Sequence, residues 1–341
     1  MTKPRLALTM GDVAGIGPEI IARALTTGRI HEFCEPLVVG HPAILERTCR
    51  ELKIPLDVVP VADPAQTVTT GVACWNPSDD AVLSVTPGLV QAAAGRAAYQ
   101  YLVAATRAAL AGQIDAICTA PLHKEALRQA GIDFPGHTEI LAAECGVDEV
   151  AMMLYLPAGT AVRGPNGLGV AHVTLHTSIR SIPGLLSIGR IRDTIVLLDS
   201  FLKSLGVSPR IGVCALNPHA GEHGLFGDEE GEFIEPAVQS CQALGLQATG
   251  PIPADALLRR AVAGEFDGVV AMYHDQGHIA LKLIGFDLAV NITLGLPIVR
   301  TSPSHGTAFD IAGQGKASAE GFLAAARVAC QLAKNQKNSP T

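Results

Sequence analysis

Short apolar runs that alternate with helix-forming segments constrain the fold of this chain most strongly. The runs RLALTM (5–10), IGVCALN (211–217) and FDGVVAMY (266–273) are apolar at most positions, which is typical of parallel strands that are buried on both faces. Residues 88–111 and 187–206 carry alanine-rich or amphipathic patterns with helical spacing. Because strands alternate with helices along the chain, the sequence predicts an α/β fold with a mainly parallel sheet.

The length of the chain indicates two domains, because 341 residues exceed what one ordinary hydrophobic core supports. We expect one α/β domain to combine residues 1–130 with residues 286–341. We expect residues 131–285 to form the second domain.

Composition and charge exclude several classes of protein. The net charge of −7 comes with no basic stripe, which argues against a nucleic-acid partner. Although 48% of the residues are hydrophobic, no apolar run reaches the ~18 residues that a membrane helix needs. The eight cysteines are scattered without a CxxC pair, and residues 1–20 lack a signal-peptide pattern. We therefore expect a cytoplasmic protein with reduced thiols that binds neither membrane nor nucleic acid.

Three histidines follow predicted strands and are candidate metal ligands. His176, His219 and His274 each lie at a predicted strand end or within a few residues of one. Three imidazoles can bind a borderline divalent ion and leave coordination positions open for a substrate. No spacing rule connects the three, so surface or hydrogen-bonded histidines stay open as the alternative. Asp275 would either orient the imidazole of His274 or cap a turn.

Lys282, Asn291 and Arg300 recur at nine-residue intervals within a region of apolar runs that we interpret as strands. Isolated buried charges are costly, so the two cations either reach solvent or meet an anion such as a phosphate or a carboxylate. The segment GHTE adds His137 and Thr138, and Thr138 is placed to cap a helix.

The glycine-rich segment GDVAGIGPE (11–19) has two readings. Its glycines lack the GxGxxG spacing of a dinucleotide-binding turn. It is therefore either a tight strand-to-helix turn or a loop that binds an anion at a helix N-terminus.

Six stretches spread from residue 9 to residue 316 carry a family resemblance. They are TMGDVAGIGPEI, TAPLHKEAL, PGHTE, LNPHAGE, AMYHDQG and VNITLGLPIVRTSPSHGTAFDIAG. Taken together, they resemble the 4-hydroxythreonine-4-phosphate dehydrogenase family, NAD-dependent enzymes of pyridoxine phosphate synthesis. The resemblance implies a two-domain fold similar to that of isocitrate and isopropylmalate dehydrogenases, with residues 1–130 and 286–341 on the cofactor side. Residues 131–285 would then hold the substrate, the metal and the dimer contact.

The resemblance also implies roles for individual residues. The metal would be one divalent ion, with zinc or cobalt favoured by three nitrogen ligands and magnesium or manganese as alternatives. The protein would be a homodimer with shared active sites, in which His274 and Asp255 act across the interface. Lys282 or Asp275 would carry the proton. The implied residues are His176, His219 and His274 for the metal; His137, Thr138, Asp255, Lys282, Asn291 and Arg300 for the substrate; and His305, Gly306, Thr307, Ala308 and Asp310 for the cofactor.

Within the cofactor segment, Gly306 would permit close approach of the adenine. Asp310 would accept a hydrogen bond from a ribose hydroxyl and repel a 2′-phosphate. The segment therefore favours NAD over NADP.

The expected activity is NAD-dependent, metal-assisted oxidative decarboxylation of 4-phosphohydroxy-L-threonine to 3-amino-2-oxopropyl phosphate and CO2. GLFGDEE, GHIALKLIGF and GTAFDIA are most similar to a sister branch. That branch is implied to oxidise D-threonate or D-erythronate 4-phosphate, which is the first alternative. A phosphate acyltransferase of related fold, a zinc hydrolase and a non-catalytic binding module for phosphorylated metabolites remain further alternatives.

Overall fold

The computed structural model describes residues 3–159 and 161–338. The strands of this part are β1 (Arg5–Thr9), β2 (Glu35–Val39), β3 (Val58–Val61), β4 (Val72–Trp75), β5 (Ala116–Thr119), β6 (Ala151–Leu156), β7 (Leu168–His172), β8 (Ile211–Cys214), β9 (Ala248–Ile252), β10 (Gly268–Ala271), β11 (Val290–Leu294) and β12 (Arg300–Pro303).

The helices alternate with these strands along the chain. They are α1 (Gly17–Thr26), α2 (Arg29–Phe33), α3 (Pro42–Glu51), α4 (Ala92–Leu110), α5 (Lys124–Gln129), α6 (His137–Cys145), α7 (Ile182–Leu185), α8 (Ile188–Ser204), α9 (Glu235–Ala243), α10 (Ala254–Val262), α11 (His274–Gly285) and α12 (Glu320–Asn338).

The chain divides into two compact units. The first unit comprises the described residues up to Asp148 and those from Leu296 onwards, and the second comprises Glu149–Gly295. These bounds differ from the predicted boundaries at 130/131 and 285/286. Helix α6 packs against α4 and so lies in the first unit, whereas β11 pairs with β6 and so lies in the second. Both assignments depend on long-range packing.

The first unit contains a parallel sheet with the strand order β3-β4-β2-β1-β5-β12. Every residue of the central strand β1 is buried. Helices α4 and α12 pack against the strands. The loops that follow β1 and β5 leave the same edge of this sheet, because the two strands are parallel neighbours.

The second unit contains strands in the order β11-β6-β7-β10-β8-β9. Strand β6 is antiparallel to both of its neighbours, and the remaining pairs are parallel. Its core includes Leu154, Val170, Val269 and Leu281. The two-domain, mainly parallel α/β architecture predicted from the sequence is thus confirmed.

The segment IALKLIG is the clearest local difference from the predicted elements. It lies in helix α11 and not in a strand. Leu281 is fully buried, while Ile279 and Leu283 are 56% and 82% exposed. A short apolar run fits either a strand or one side of a helix, and only the three-dimensional packing decides between them.

Two further predictions concern reduced cysteines and membrane-spanning segments. All eight cysteines lie in the described part of the chain and are free, and seven of them are buried. Within residues 3–159 and 161–338, no helix combines the length and the apolar character needed to cross a membrane.

Gly95 offers a test of the packing between α4 and α5. A Cβ atom on Gly95 would lie 2.1 Å from the carbonyl oxygen of Ala126, which belongs to the backbone of α5. Gly95→Ala should therefore lower stability by about 1–3 kcal/mol through overpacking, measured as a lower thermal unfolding temperature.

Gly189→Ala in α8 is the matched control, because its nearest neighbour would be Ser187 Oγ at 4.0 Å. Alanine is the better helix former, so this variant should be as stable as the parent or slightly more stable. Equal losses in the two variants would contradict the proposed close contact.

Candidate active site

His176 and His274 face one cavity in the second unit. Strands β7 and β10 are parallel neighbours, and Ala271 pairs with His172. The two chain segments therefore leave the sheet side by side and bring His176 and His274 together, with their ring centroids 5.9 Å apart. The cavity has a volume of about 370 Å³ and is lined by residues 175–179, Ile182 and residues 273–275.

The spacing of these two imidazoles suits a shared divalent ion. With a metal–nitrogen distance of about 2.1 Å, two ligating rings hold their centroids about 5–6 Å apart. His219 does not complete the set within one chain: among the described residues, no group of three or more His, Cys, Asp or Glu side chains is arranged to hold a metal. The imidazole nitrogens of His176 and His274 therefore fit two positions of a metal site, and a third ligand would have to come from outside this group of residues.

Two buried histidines, His172 and His278, pack next to His274. The ring of His274 stacks on that of His278 with centroids 3.7 Å apart. The His278 Nδ1 lies 3.1 Å from the His172 Nε2. Burial lowers the pKa of His172 to about 4 and that of His278 to about 3. Both rings are therefore neutral at physiological pH, and one nitrogen can donate to the other.

Asp275 lies beside His274 at the start of α11. The Asp275 Oδ1 is 2.7 Å from the His274 Nδ1. At this distance the carboxylate can orient the imidazole, which is one of the two roles considered for Asp275. It leaves the other ring nitrogen of His274 available to a ligand.

His219 lies in a left-handed turn over Pro218–Gly224. Five consecutive residues, His219 to His223, have φ between 46° and 75°, and only one of them is glycine. A non-glycine residue in this conformation costs roughly 1–2 kcal/mol. The side chain of His219 is 77% exposed, and its Nδ1 lies 3.5 Å from the Glu222 Oε2. Such strain is kept only where surrounding contacts impose it.

Three predicted substrate residues belong to the second unit. Lys282 is half-buried on α11, with its Nζ 5.8 Å from the centroid of the Phe286 ring. The Oδ1 of Asn291, on β11, is enclosed and has no hydrogen-bond partner among the described residues. Asp255 is exposed in the first turn of α10. The enclosed Oδ1 of Asn291 is therefore an acceptor to which a ligand can donate a hydrogen bond.

The other predicted substrate residues belong to the first unit. Arg300 is buried and donates to the Thr119 Oγ1 at 2.7 Å. Burial lowers its pKa to about 10, which leaves it charged at neutral pH. Desolvation and the charge of Arg300 hold the pKa of His137 well below 6.5. The expectation that Thr138 caps α6 is wrong, because the helix begins at His137 and Gly136 occupies the cap position.

The predicted cofactor segment packs on the glycine-rich loop after β1. The Ile16 amide donates to the Thr307 carbonyl at 3.0 Å, and a Cβ atom on Gly15 would lie 2.7 Å from that same oxygen. This contact explains the glycine at position 15. Gly306 and Asp310 are exposed, and a Cβ on Gly306 would meet only open space. Of the three remaining members of the predicted set, His305 and Ala308 are half-buried and Thr307 is buried.

Comparison with known proteins identifies the family. The family model described as pyridoxal phosphate biosynthetic protein PdxA matches residues 32–329. The chain belongs to the PdxA family. The predicted family resemblance is therefore confirmed.

PdxA-family relatives of this chain carry two names. A 4-hydroxythreonine-4-phosphate dehydrogenase from Geobacter metallireducens is 44% identical over 98% of this chain and 96% of that protein. A D-threonate 4-phosphate dehydrogenase from Pectobacterium atrosepticum is 43% identical over 96% of this chain and 99% of that protein. The crystal structure of a 4-hydroxythreonine-4-phosphate dehydrogenase from Klebsiella pneumoniae matches with a TM-score of 0.85 and 42% identity, over 97% of this chain and 100% of that one. The prediction that this chain is a dehydrogenase is confirmed.

The structure of this PdxA-family chain adds residues that the sequence did not single out. Asp12 is fully buried, its Oδ2 has no hydrogen-bond partner in the described part of the chain, and burial raises its pKa to about 6. The ring of His123 stacks on Phe309 with centroids 4.7 Å apart. His172 lies inside the apolar run GVAHVTLH and Glu230 inside an acidic run, so neither was distinguishable from an ordinary core or surface residue.

The low pKa of His172 predicts acid destabilisation of the metal-free protein. The unfolded chain takes up a proton near pH 6.5, whereas the folded state does so only at about 4. Stability from this group is therefore fully present above pH 6.5 and falls by about 1.4 kcal/mol per pH unit below it. His172→Gln keeps a donor and an acceptor but does not titrate, so its free energy of unfolding should decline less steeply.

The measurement is urea unfolding between pH 7.5 and pH 5. His223→Gln is the control, because His223 is exposed and should leave the slope as it is in the parent. A His172→Gln slope equal to that of the parent would show that His172 titrates normally in the folded state.

Proposed function

We propose that this chain catalyses the NAD-dependent, metal-assisted oxidation of 4-phosphohydroxy-L-threonine, followed by decarboxylation to 3-amino-2-oxopropyl phosphate and CO2. The observation that carries the proposal is the approach of His176 and His274 across one cavity. It gains support from the PdxA family match and from a relative of that name at 44% identity. The names of the relatives also favour this reaction over acyl transfer.

His176, His219 and His274 are the proposed metal ligands, and zinc or cobalt is the favoured ion because the donors are three imidazole nitrogens. A bound divalent ion would lower the pKa of the substrate hydroxyl and stabilise negative charge on the oxidised product. Asp275 would hold the tautomer of His274 through the contact at 2.7 Å.

The chain's own polar residues would bind the rest of the substrate. His137 and Arg300 both belong to the first unit, and Arg300, which donates to Thr119 at the carboxyl end of β5, stays charged. A guanidinium suits a phosphate group because it can donate two parallel hydrogen bonds. Thr138 would donate to the same anion from the first turn of α6. Asp255, Lys282 and Asn291 complete the proposed set, with Lys282 or Asp275 as the proton carrier.

NAD is the proposed oxidant, and residues 305–310 are its proposed contact. The exposed carboxylate of Asp310 would accept from the adenosine ribose and disfavour a 2′-phosphate. The open space at Gly306 leaves room for the adenine.

A homodimer would complete the metal site. In the described part of one chain the three histidines do not form a metal-holding group. Helix α11, which begins with His274, carries Ile279 and Leu283 on its exposed side, followed by Phe286 at 54% exposure. An exposed apolar stripe beside an incomplete site fits contact with a second copy.

The second candidate is the oxidation of D-threonate 4-phosphate. A relative of that name is 43% identical over nearly the full length. The two substrates differ at C2, which carries an amino group in one and a hydroxyl in the other. Overall identity therefore does not separate the two candidates.

The deciding experiment follows NADH formation by the full-length protein with NAD and Zn²⁺. We expect kcat/KM to be about tenfold higher for 4-phosphohydroxy-L-threonine than for D-threonate 4-phosphate. A site that hydrogen-bonds an amino group at C2 binds a substrate with a hydroxyl there less well. The reverse order would favour the second candidate. No NADH from either substrate, or from D-erythronate 4-phosphate, would refute the proposed reaction class.

The same assay has a matched control for the metal ligand. His219 and His223 are both exposed, and both lie in the left-handed turn. His219→Ala should abolish metal-dependent NADH formation, while His223→Ala should retain it. Equal activity in the two variants would remove His219 from the site.

His137 gives a separate test of phosphate recognition. Loss of a charge-assisted contact should lower kcat/KM by roughly ten- to a hundredfold, or about 1.5–3 kcal/mol. His137→Ala should show that loss on the phosphorylated substrate and a much smaller one on the unphosphorylated analogue. The measurement is kcat/KM for parent and variant on both compounds. An equal loss of kcat/KM on the phosphorylated substrate and on the unphosphorylated analogue would show that His137 does not contact the phosphate.

A further inference from the structure

The strained turn that carries His219 is attached to a buried carboxylate. Glu230 is 6% exposed. Its Oε1 accepts hydrogen bonds from the backbone amides of Leu216 and Asn217, each at 2.8 Å. Its Oε2 accepts from the Asn217 Nδ2 at 3.0 Å. Glu230 therefore fixes the point at which the chain leaves β8 and enters the turn.

The carboxylate is attached to the packed core of the second unit. Glu230 begins a π-helical turn, Glu230–Ile234, that continues directly into α9. Ile234 is fully buried, and α9 packs against α8. The position of the Glu230 side chain is thus set by the core.

The turn also folds around this side chain. A Cβ atom on Gly221 would lie 2.7 Å from the Glu230 Oε2, so the backbone of the turn closely approaches the carboxylate. The Phe226 amide donates to the Gly221 carbonyl at 3.1 Å and closes the loop. Contacts to one carboxyl group therefore oppose the tendency of the left-handed residues to relax.

We propose that Glu230 is a positioning residue that holds the turn Pro218–Gly224 in the conformation that presents His219 to the metal ion. The metal half of this inference rests on the proposed function, whereas the conformational half does not. Glutamine at position 230 would keep the shape but lose the charge. Its amide group would also place donors against the donors of Leu216 or Asn217.

The chain offers a matched control in the preceding residue. Glu229 is half-buried, and its Oε2 accepts from the Asn217 Nδ2 at 2.7 Å, but it does not contact the backbone amides that Glu230 holds. We compare Glu230→Gln with Glu229→Gln in the full-length protein. The first readout is amide hydrogen exchange of residues 215–227 without metal. The second is titration with Zn²⁺ alone, and thermal unfolding reports on the rest of the fold.

Glu230→Gln should speed exchange across residues 215–227 and weaken Zn²⁺ binding about tenfold or more, as loss of a group that orients a ligand does. Glu229→Gln should stay close to the parent in both readouts. If Glu230→Gln does not fold, Gly221→Ala serves as the second variant. Its Cβ would meet the Glu230 Oε2, and it should have the same two effects.

Unchanged exchange in Glu230→Gln, or equal changes in the two glutamine variants, would overturn the proposal. A parent protein that binds no Zn²⁺ would instead refute the proposed metal site. The exchange comparison would still decide whether Glu230 holds the turn.

Discussion

Parallel pairing between β7 and β10 brings two of the proposed metal ligands together in the second unit. Because Ala271 pairs with His172, the segments that follow the two strands begin side by side. His176 and His274 come a few residues later, which brings their rings to 5.9 Å. In a parallel sheet the carboxyl ends of neighbouring strands share one edge, so short segments suffice to bring distant sequence positions together. Moving either strand by one residue would turn its side chains to the opposite face.

Polar side chains in both units are buried away from water, and the structure stabilises them in different ways. His172 and His278 stay neutral and hydrogen-bond to each other. Arg300 remains charged and donates to Thr119. Glu230 accepts several amide donors at once. A buried polar group without hydrogen-bond partners costs more free energy than the same group in water. The partners of each buried group therefore restrict which residue types can occupy its position.

The sequence predicted the features that depend on local pattern. Apolar runs located β7 and β10, and strand-end positions made His176, His219 and His274 candidate ligands, of which the structure brings His176 and His274 together. The left-handed conformation of His219 was not predictable, because residues 219–223 contain one glycine and the backbone is held by Glu230, seven residues beyond the last of them. The helix at Lys282 was missed because short apolar runs have no clear period. Thr138 was assigned as a cap by residue type, whereas the chain enters α6 one residue earlier.

The path of the chain between the two units has a consequence for biosynthesis. The second unit is a continuous segment, Glu149–Gly295, whereas the first is completed by residues from Leu296 onwards. Strand β12 pairs with β5, and α12 packs on both strands. On the ribosome, the second unit therefore has its whole sequence available before the first does. Until β12 and α12 emerge, β5 presents an unpaired strand edge, which is the kind of surface that chaperones protect from aggregation.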